Sequence, residues 1–561
     1  RILEDRLKIP SISNHHPTRV QMGPDVVVVH LFGISGNELA QYTLPGTYCG
    51  RDLYRRILED HPASPNAMVK ILFKEARLDP HKSLEEQGVK MGSSMTYIKQ
   101  PVSAHEQEVV RKRFEEHGVI DGELLDVWNS IIDLTIRRDS NQSLEKVTLP
   151  DGLQRLTFGP DFNQSVAKVT LPDGLRHLTF GELFNQSLEE ATLPHGLQSL
   201  TFGGDFNQSL EKVTLPHGLQ DLTFGLDFNQ SLEKVTLPHG LQDLTFGNDF
   251  NQSLEKVTLP HGLRHLTFGF DFNQSLEKVT LPSDLQHLTF GICFNQSLEK
   301  VTLPHGLQHL NFGYYFNQSF EKVTLPGGLQ SLTFGNDFNL SLEKVTLPDG
   351  LLNLTFGACF NQSLEKVTLP DGLRHLTFGH GFNQSFENIT LPDDLQSLTF
   401  GNDFNQSLEK VALPHGLRHL AFDNCFNQSL EKVTLPDDLQ NLTFGNRFNQ
   451  SLENVTLPHG LRHLKLGARF NQSLEKVSLP DGLRHLTLGY YFNQSMEKVT
   501  LPNGLKLLTC GDGSNLSLET ATVADTLQHF RRTQRRVQGH IIPMPPMHAT
   551  LHNTPQHLEH F

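Results

Sequence analysis

The sequence predicts a mainly β fold: a solenoid of short, stacked 22-residue coils preceded by a small α+β domain. Three observations carry this expectation. One segment, Phe-Asn-Gln-Ser-Leu-Glu-Lys-Val-Thr-Leu-Pro, recurs without insertion, and seventeen steps of 22 residues lead from Asn141 to Asn515, which makes 18 units. The composition is skewed in the way copying produces, with 38 Phe against 8 Tyr and 1 Trp in 561 residues. Within a unit such as Asn207–Phe228, the apolar positions fall in two alternating stretches too short for helices, Val213-Thr214-Leu215 and Leu222-Thr223-Phe224.

Taken from the N-terminus, residues 1–25 show no period and read as a flexible segment. Residues 26–101 have a different character from the repeats. Val26 to Phe32 alternates, Gly33 and Gly36 mark a turn, Leu53 to Leu58 has helical spacing, and Val69 to Phe73 and Met95 to Ile98 alternate again. The order of strand, strand, helix, strand, short turn and strand is that of a small α+β grasp. Residues 102–130 read as a polar helical linker and N-cap, with a helix near Ala104 to Glu116.

The solenoid is expected over residues 131–530. Ile131, Leu134 and Ile136 stand one period before Leu153, Leu156 and Phe158, so the first strand precedes Asn141. In each unit Pro216 and Gly218 break the chain after the first stretch and Gly225 after the second, giving strand, corner, strand, corner and two long parallel sheets. A single coil buries too little to offset the ordering of its residues, so coils are stable only when stacked. At the other end Ala524 replaces the corner proline and Arg532 falls on a core Phe position, which ends the register. Residues 531–561 carry Arg531, Arg532, Arg535 and Arg536 followed by aperiodic His and Pro, and read as a disordered tail.

The residue after the second Phe is always Asn at a corner, where a short amide can satisfy backbone groups that lack a ladder partner. The predicted ladder runs through Asn141, Asn163, Asn185, Asn207, Asn229, Asn251, Asn273, Asn295 and Asn317 and onward. The unit Leu-x-x-Val-x-Leu-Pro-x-x-Leu-x-x-Leu-x-Phe-x-x-x-Phe-Asn resembles the FNIP repeat, a relative of leucine-rich repeats, and is also similar to BspA-like leucine-rich repeats. The resemblance implies a leucine-rich-repeat-like solenoid and a protein-binding role. In that family the repeats are often joined to an F-box, which implies a ubiquitin-ligase adaptor; no F-box is recognisable here. Lys70-Ile71-Leu72-Phe73 through Met95-Thr96-Tyr97-Ile98 resembles ubiquitin. That resemblance implies a docking patch at Lys70, Leu72 and Ile98, and the chain continues past Pro101 without a terminal Gly-Gly, so conjugation is not implied.

Candidate chemistry is thin. A formal net charge of -15 argues against a basic nucleic-acid binder, and no run of about 18 apolar residues points to membrane insertion. Asn-x-Ser recurs at the ladder positions as a glycosylation signal, against which stands the expected burial of the corner Asn. His261 with His265, His305 with His309, His415 with His419 and His459 with His463 recur by copying, without Cys or carboxylate at a fixed metal-ligand spacing, so no metal is expected. The Glu211-Lys212 pair, repeated in most coils, reads as a solvated face. Cys293, Cys359 and Cys425 are spaced three coils apart, about 14 Å, too far for disulfides. This favours a reducing compartment, cytoplasmic or nuclear. No cofactor, small-molecule substrate or catalytic set is expected. The resulting expectation is a non-enzymatic scaffold that binds other proteins, ubiquitin-pathway components among them; the alternative is a glycosylated, adhesive surface rod.

Overall fold

The computed structural model describes residues 26–33, 35, 37–45, 48, 50, 53, 56, 57, 60, 67–74, 76–78, 82–90, 92–117, 124–136, 144, 145 and 147–509. Residues 1–25, the first ladder position Asn141, Ala524, Arg532 and the tail from 531 lie outside them. The chain divides into two units, Arg1–Gly357 and Ala358–Phe561, and the division falls inside the repeats.

The first unit opens with a five-stranded mixed sheet: β1 (Val26–Gly33), β2 (Glu38–Pro45), β3 (Ala67–Phe73), β4 (Ala76–Arg77) and β5 (Ser93–Pro101). Its order is β2-β1-β5-β3-β4, with β1 parallel to β5 and antiparallel to β2. Alternation decides which side chains turn inward: Val29 and Leu31 from β1, Ile71 from β3 and Met95 from β5 close on the helical residues Leu53 and Ile57.

Two helices follow, α1 (Ala104–His117) and α2 (Leu124–Asn129). A capping box starts α1: Ser103 Oγ accepts the Glu106 N–H at 3.2 Å while the Glu106 carboxylate accepts the Ser103 N–H at 2.8 Å. The Ser103 hydroxyl also donates to the Glu106 carboxylate at 2.7 Å, and this bond first and the Ser103 N–H second hold the Glu106 carboxyl below the ordinary carboxylate range. Phe114 of α1 packs on Trp128 of α2 with centroids 4.6 Å apart. Trp128, the one tryptophan, is fully buried, and its Nε1–H donates to the Thr148 carbonyl at 3.0 Å. Arg111 reaches the Asp133 carbonyl at 2.8 Å, so the helices cover the first coil with both apolar surface and donors.

From there the chain stacks in parallel register. In the first unit the ladder runs from β6 (Asp133–Ile136) to β16 (Asn353–Thr355), and in the second from β17 (His375–Thr377) to β23 (Leu507–Thr509). Each step pairs identical positions, for example Leu222 with Leu244 and Thr223 with Thr245. Two Phe columns fill the core: Phe224 and Phe228 lie 3.9 Å apart within a coil, and each repeats 5.7 and 6.1 Å away in the next.

The expectation of two parallel sheets is corrected here. Val213 and Leu215 are buried and Thr214 is exposed, as alternation requires, yet that stretch forms no strand; each described coil contributes one strand, around Leu222. The cause is local. A turn bond from the Val213 N–H to Leu210 at 3.0 Å ends at this stretch, and Pro216, which has no N–H, begins the next turn, closed by Leu219 at 3.1 Å. The Val213 N–H is thus spent on the turn and Pro216 offers none, which removes two of the donors a ladder would need. At the opposite corner the backbones approach so closely that a Cβ on Gly247 would overlap the Gly225 carbonyl, which explains the glycine column; Asp423 departs from it.

Candidate functional site

The outward face of each sheet presents two columns per coil, the residue before the buried Leu and the Thr after it. In the first unit the former column carries Asp221, Asp243, His265, His287 and His309 on consecutive strands. Asp243 Oδ1 lies against His265 Nδ1, His265 lies 4.5 Å from His287, and His287 stacks on His309 at 4.3 Å and 9°. Burial pushes the Asp221 carboxyl up, and its hydrogen bond and repulsion with Asp243 add to this. The His287 imidazole is held below the ordinary range by burial and then by His309 and His265. Among the described residues no group of three His, Cys, Asp or Glu side chains is arranged to hold a metal ion.

In the second unit the same face forms an open groove of about 470 Å³ lined by His419, Asn441, Thr443, His463, Lys465 and Thr487 among others. Its lining carries the ammonium of Lys465 among its polar side chains. Lys465 occupies the column held by Thr443 and Thr487 on the flanking strands, and His463 lies 4.4 Å from His485. Exposed Arg418, Arg462, Arg484 and Lys506 stand one residue before the strand column. Burial lowers the His419 and His463 imidazoles first; neighbouring imidazoles and the guanidinium groups of Arg418 and Arg462 lower them further.

The ladder asparagines link successive coils. Asn207 Oδ1 accepts the Asn229 backbone N–H at 3.0 Å and the Gln230 Nε2–H at 2.9 Å, and the same pair of bonds recurs at Asn163, Asn185, Asn229, Asn251, Asn273 and Asn295. Asn317 accepts the Asn339 N–H at 3.1 Å. The burial expected of these residues is corrected: Asn207 is half-buried and Asn317 exposed, because the amide sits on the corner's rim with the Phe ring beneath it taking the interior. The Glu–Lys face pairs across coils, with Lys234 reaching Glu211 at 3.2 Å and Lys256 reaching Glu233 at 2.6 Å.

On the N-terminal sheet the Lys70 backbone pairs with Ile98 and Leu72 pairs with Thr96, which puts Leu72 and Ile98 on one face, opposite Ile71 and Met95; the Lys70 side chain lies outside what the structure describes. Leu72 and Ile98 are half-buried, and α2 lies against β3. Cys293 carries a free thiol 3.7 Å from Asp271, pushed up first by burial and then by that carboxylate; Cys425 is also free. The groove was not picked out by sequence reasoning. Its signals were present as the Arg-His pairs at Arg418-His419, Arg462-His463 and Arg484-His485 and the lone Lys465 in a Thr column. No helix among the described residues is long and apolar enough to cross a membrane.

The FNIP Repeat family model matches residues 141–513 in successive segments. Among solved structures the chain is similar to CroV588, described as a novel circular LRR protein structure, with 41% identity and a TM-score of 0.62 over 72% of this chain and 66% of that one. It thus spans just under two thirds of that relative's length. An internalin of Listeria monocytogenes follows at 13% identity and TM-score 0.41, covering 57% of this chain and 94% of its own. The Toll–Spatzle complex of Drosophila matches at 16% identity and TM-score 0.36, over 65% of this chain and 52% of that one. No curated protein sequence matches the chain.

Proposed function

The chain belongs to the FNIP-repeat family, and from that premise we propose that it is a non-enzymatic scaffold. The solenoid surface holds a protein partner, and the N-terminal sheet docks a second component. One observation carries this reading. Core positions hardly change from coil to coil, whereas the two outward strand columns do: one carries Asp221, His287 and Asn353, and in the other Lys465 replaces the usual Thr. A copied array that keeps its interior while diversifying one face is suited to reading a particular partner. The placement of Leu72 and Ile98 on one face supports a docking role for the first domain, and a ubiquitin-pathway component is the second partner we favour.

Affinity capture from cells with the full chain tests this, beside Leu72→Ala/Ile98→Ala and Arg462→Glu/Lys465→Glu versions. Distinct sets of proteins lost from each variant support two docking faces; identical sets from all three sink the proposal. A glycosylated surface rod has one observation in its favour, the incomplete burial of the Asn-x-Ser asparagines such as Asn317. Intact-mass analysis decides it, since glycans on the ladder would replace the scaffold reading.

A further inference from the structure

We propose that the groove of the C-terminal coils docks a short, acidic, phosphorylated peptide segment of the partner protein. This rests on the scaffold reading and adds the chemistry of what is bound. The argument begins with charge pairing. Along the Glu–Lys face the lysines are paired, Lys432 with Glu409 at 3.4 Å and Lys476 with Glu453 at 2.6 Å. Around the groove Arg418, Arg462, Lys465, Arg484 and Lys506 are exposed and form no ion pair among the described residues. In a chain with a net charge of -15, a concentration of unpaired cations is the opposite of what composition alone produces.

The groove also supplies directed donors. Arginine forks match phosphate and carboxylate geometry, and Arg418, Arg462 and Arg484 each stand one residue before a groove-lining histidine; inside the groove Lys465, the Thr443 and Thr487 hydroxyls and the imidazoles of His463 and His485 supply donors. Adjacent parallel strands lie about 4.8 Å apart, so the stretch from His419 to His485 spans about 14 Å, the length of about four extended residues at about 3.3 Å each. That is room for a segment carrying one or two phosphates.

Longer polyanions meet opposition. Asp437, Asp438 and Asp481 lie on the proline corners that precede the strip in their coils. A nucleic-acid strand extending beyond the cationic strip would meet the corner carboxylates of Asp437, Asp438 and Asp481, whereas a short acidic segment ends inside it.

The test is fluorescence anisotropy on the full chain. The probes are a labelled Gly-pSer-Glu-pSer-Glu-Gly peptide, its unphosphorylated serine form and a short single-stranded oligonucleotide. The phosphopeptide is expected to bind at least about tenfold more tightly than the serine form. Arg462→Ala/Lys465→Ala is expected to weaken it about tenfold, while Lys432→Ala/Lys476→Ala, which removes the same charge from the paired face, changes it less than about twofold. Arg462→Lys/Lys465→Arg keeps the charge and is expected to retain most of the binding, which separates recognition from misfolding. Equal losses in the two alanine pairs, tighter binding of the oligonucleotide, or no phosphopeptide binding overturns the proposal. If the Arg462→Glu/Lys465→Glu chain still loses a partner that the parent chain captures, the scaffold survives and only the acidic-segment chemistry falls.

Discussion

Replacing Asn251 with alanine removes an acceptor shared by two donors of the next coil, the Asn273 backbone N–H at 3.0 Å and the Gln274 Nε2–H at 3.0 Å. Gln274 can turn to water, but the Asn273 N–H is fixed by the coil. An unsatisfied buried donor costs about 1–3 kcal/mol, and because Asn273 is half-buried the lower part, about 1–2 kcal/mol, applies. Repeat arrays open locally, so a global melt would dilute the effect; hydrogen exchange at the Asn273 amide reads it where it acts. The expected outcome is exchange about 5- to 30-fold faster in Asn251→Ala. Asn251→Asp keeps an acceptor oxygen in place, so its loss of protection is expected to be distinctly smaller. If both variants exchange at the parent rate, the amide ladder does not join the coils and the reasoning fails.

Phe250→Ala empties a fully buried site between Phe228 and Phe272, 6.1 Å away on either side, and is expected to cost about 3–5 kcal/mol by urea unfolding; a cost below about 1 kcal/mol would mean the column collapses around the gap. Trp128→Phe keeps the packing on Phe114 and loses the bond to Thr148, so exchange protection is expected to fall in the first coils and to be unchanged beyond Phe294. Acidification is expected to destabilise the repeats. His287, His419 and His463 are held below the ordinary imidazole range in the folded chain, so the unfolded chain takes up protons first, and stability present above about pH 6.5 is lost as the pH falls through that value. A urea midpoint that rises from about pH 7.5 to about pH 5.5 would contradict this; Asp221, pushed up by burial, acts in the opposite sense nearer the carboxylate range. Leu72→Ala/Ile98→Ala is expected to leave repeat unfolding unchanged, and a shift would assign those side chains a structural role instead of a docking one.

The period was legible because every coil repeats the same inward residues; Leu222, Phe224 and Phe228 are buried in the positions their alternation and spacing require. The second strand was misread because alternation at Val213 and Leu215 reports which side chains are buried, and an extended segment can bury them without pairing its backbone. The burial of the ladder asparagines was overestimated for a related reason: a repeated polar residue beside a core Phe can bond from the rim as well as from within. Recognition sites were harder still. Lys465 stands out only when coils are aligned as columns and the departures from the common unit, instead of the unit itself, are taken as the signal.

Stacking sets what such departures can do. In an array with a 22-residue period, a surface residue's nearest neighbours are its own counterparts in the coils on either side. Like charges about 5 Å apart repel by about 0.8 kcal/mol in water before salt screening, so a run of identical ionised residues weakens the array it decorates. Asp205, Asp227, Asp249 and Asp271 form such a run, and the Asp249 carboxyl is pushed up by burial and by Asp227 and Asp271. The Glu–Lys face avoids the problem by pairing each coil with the one before. The C-terminal strip bears the same penalty: Gln440 separates Arg418 from Arg462, but Arg462, Arg484 and Lys506 follow one another in adjacent coils, with Lys465 beside them on the strand itself. Left unpaired, these cations repel one another, and their attraction stays available to a partner. A column that only needed to be stable would have been paired.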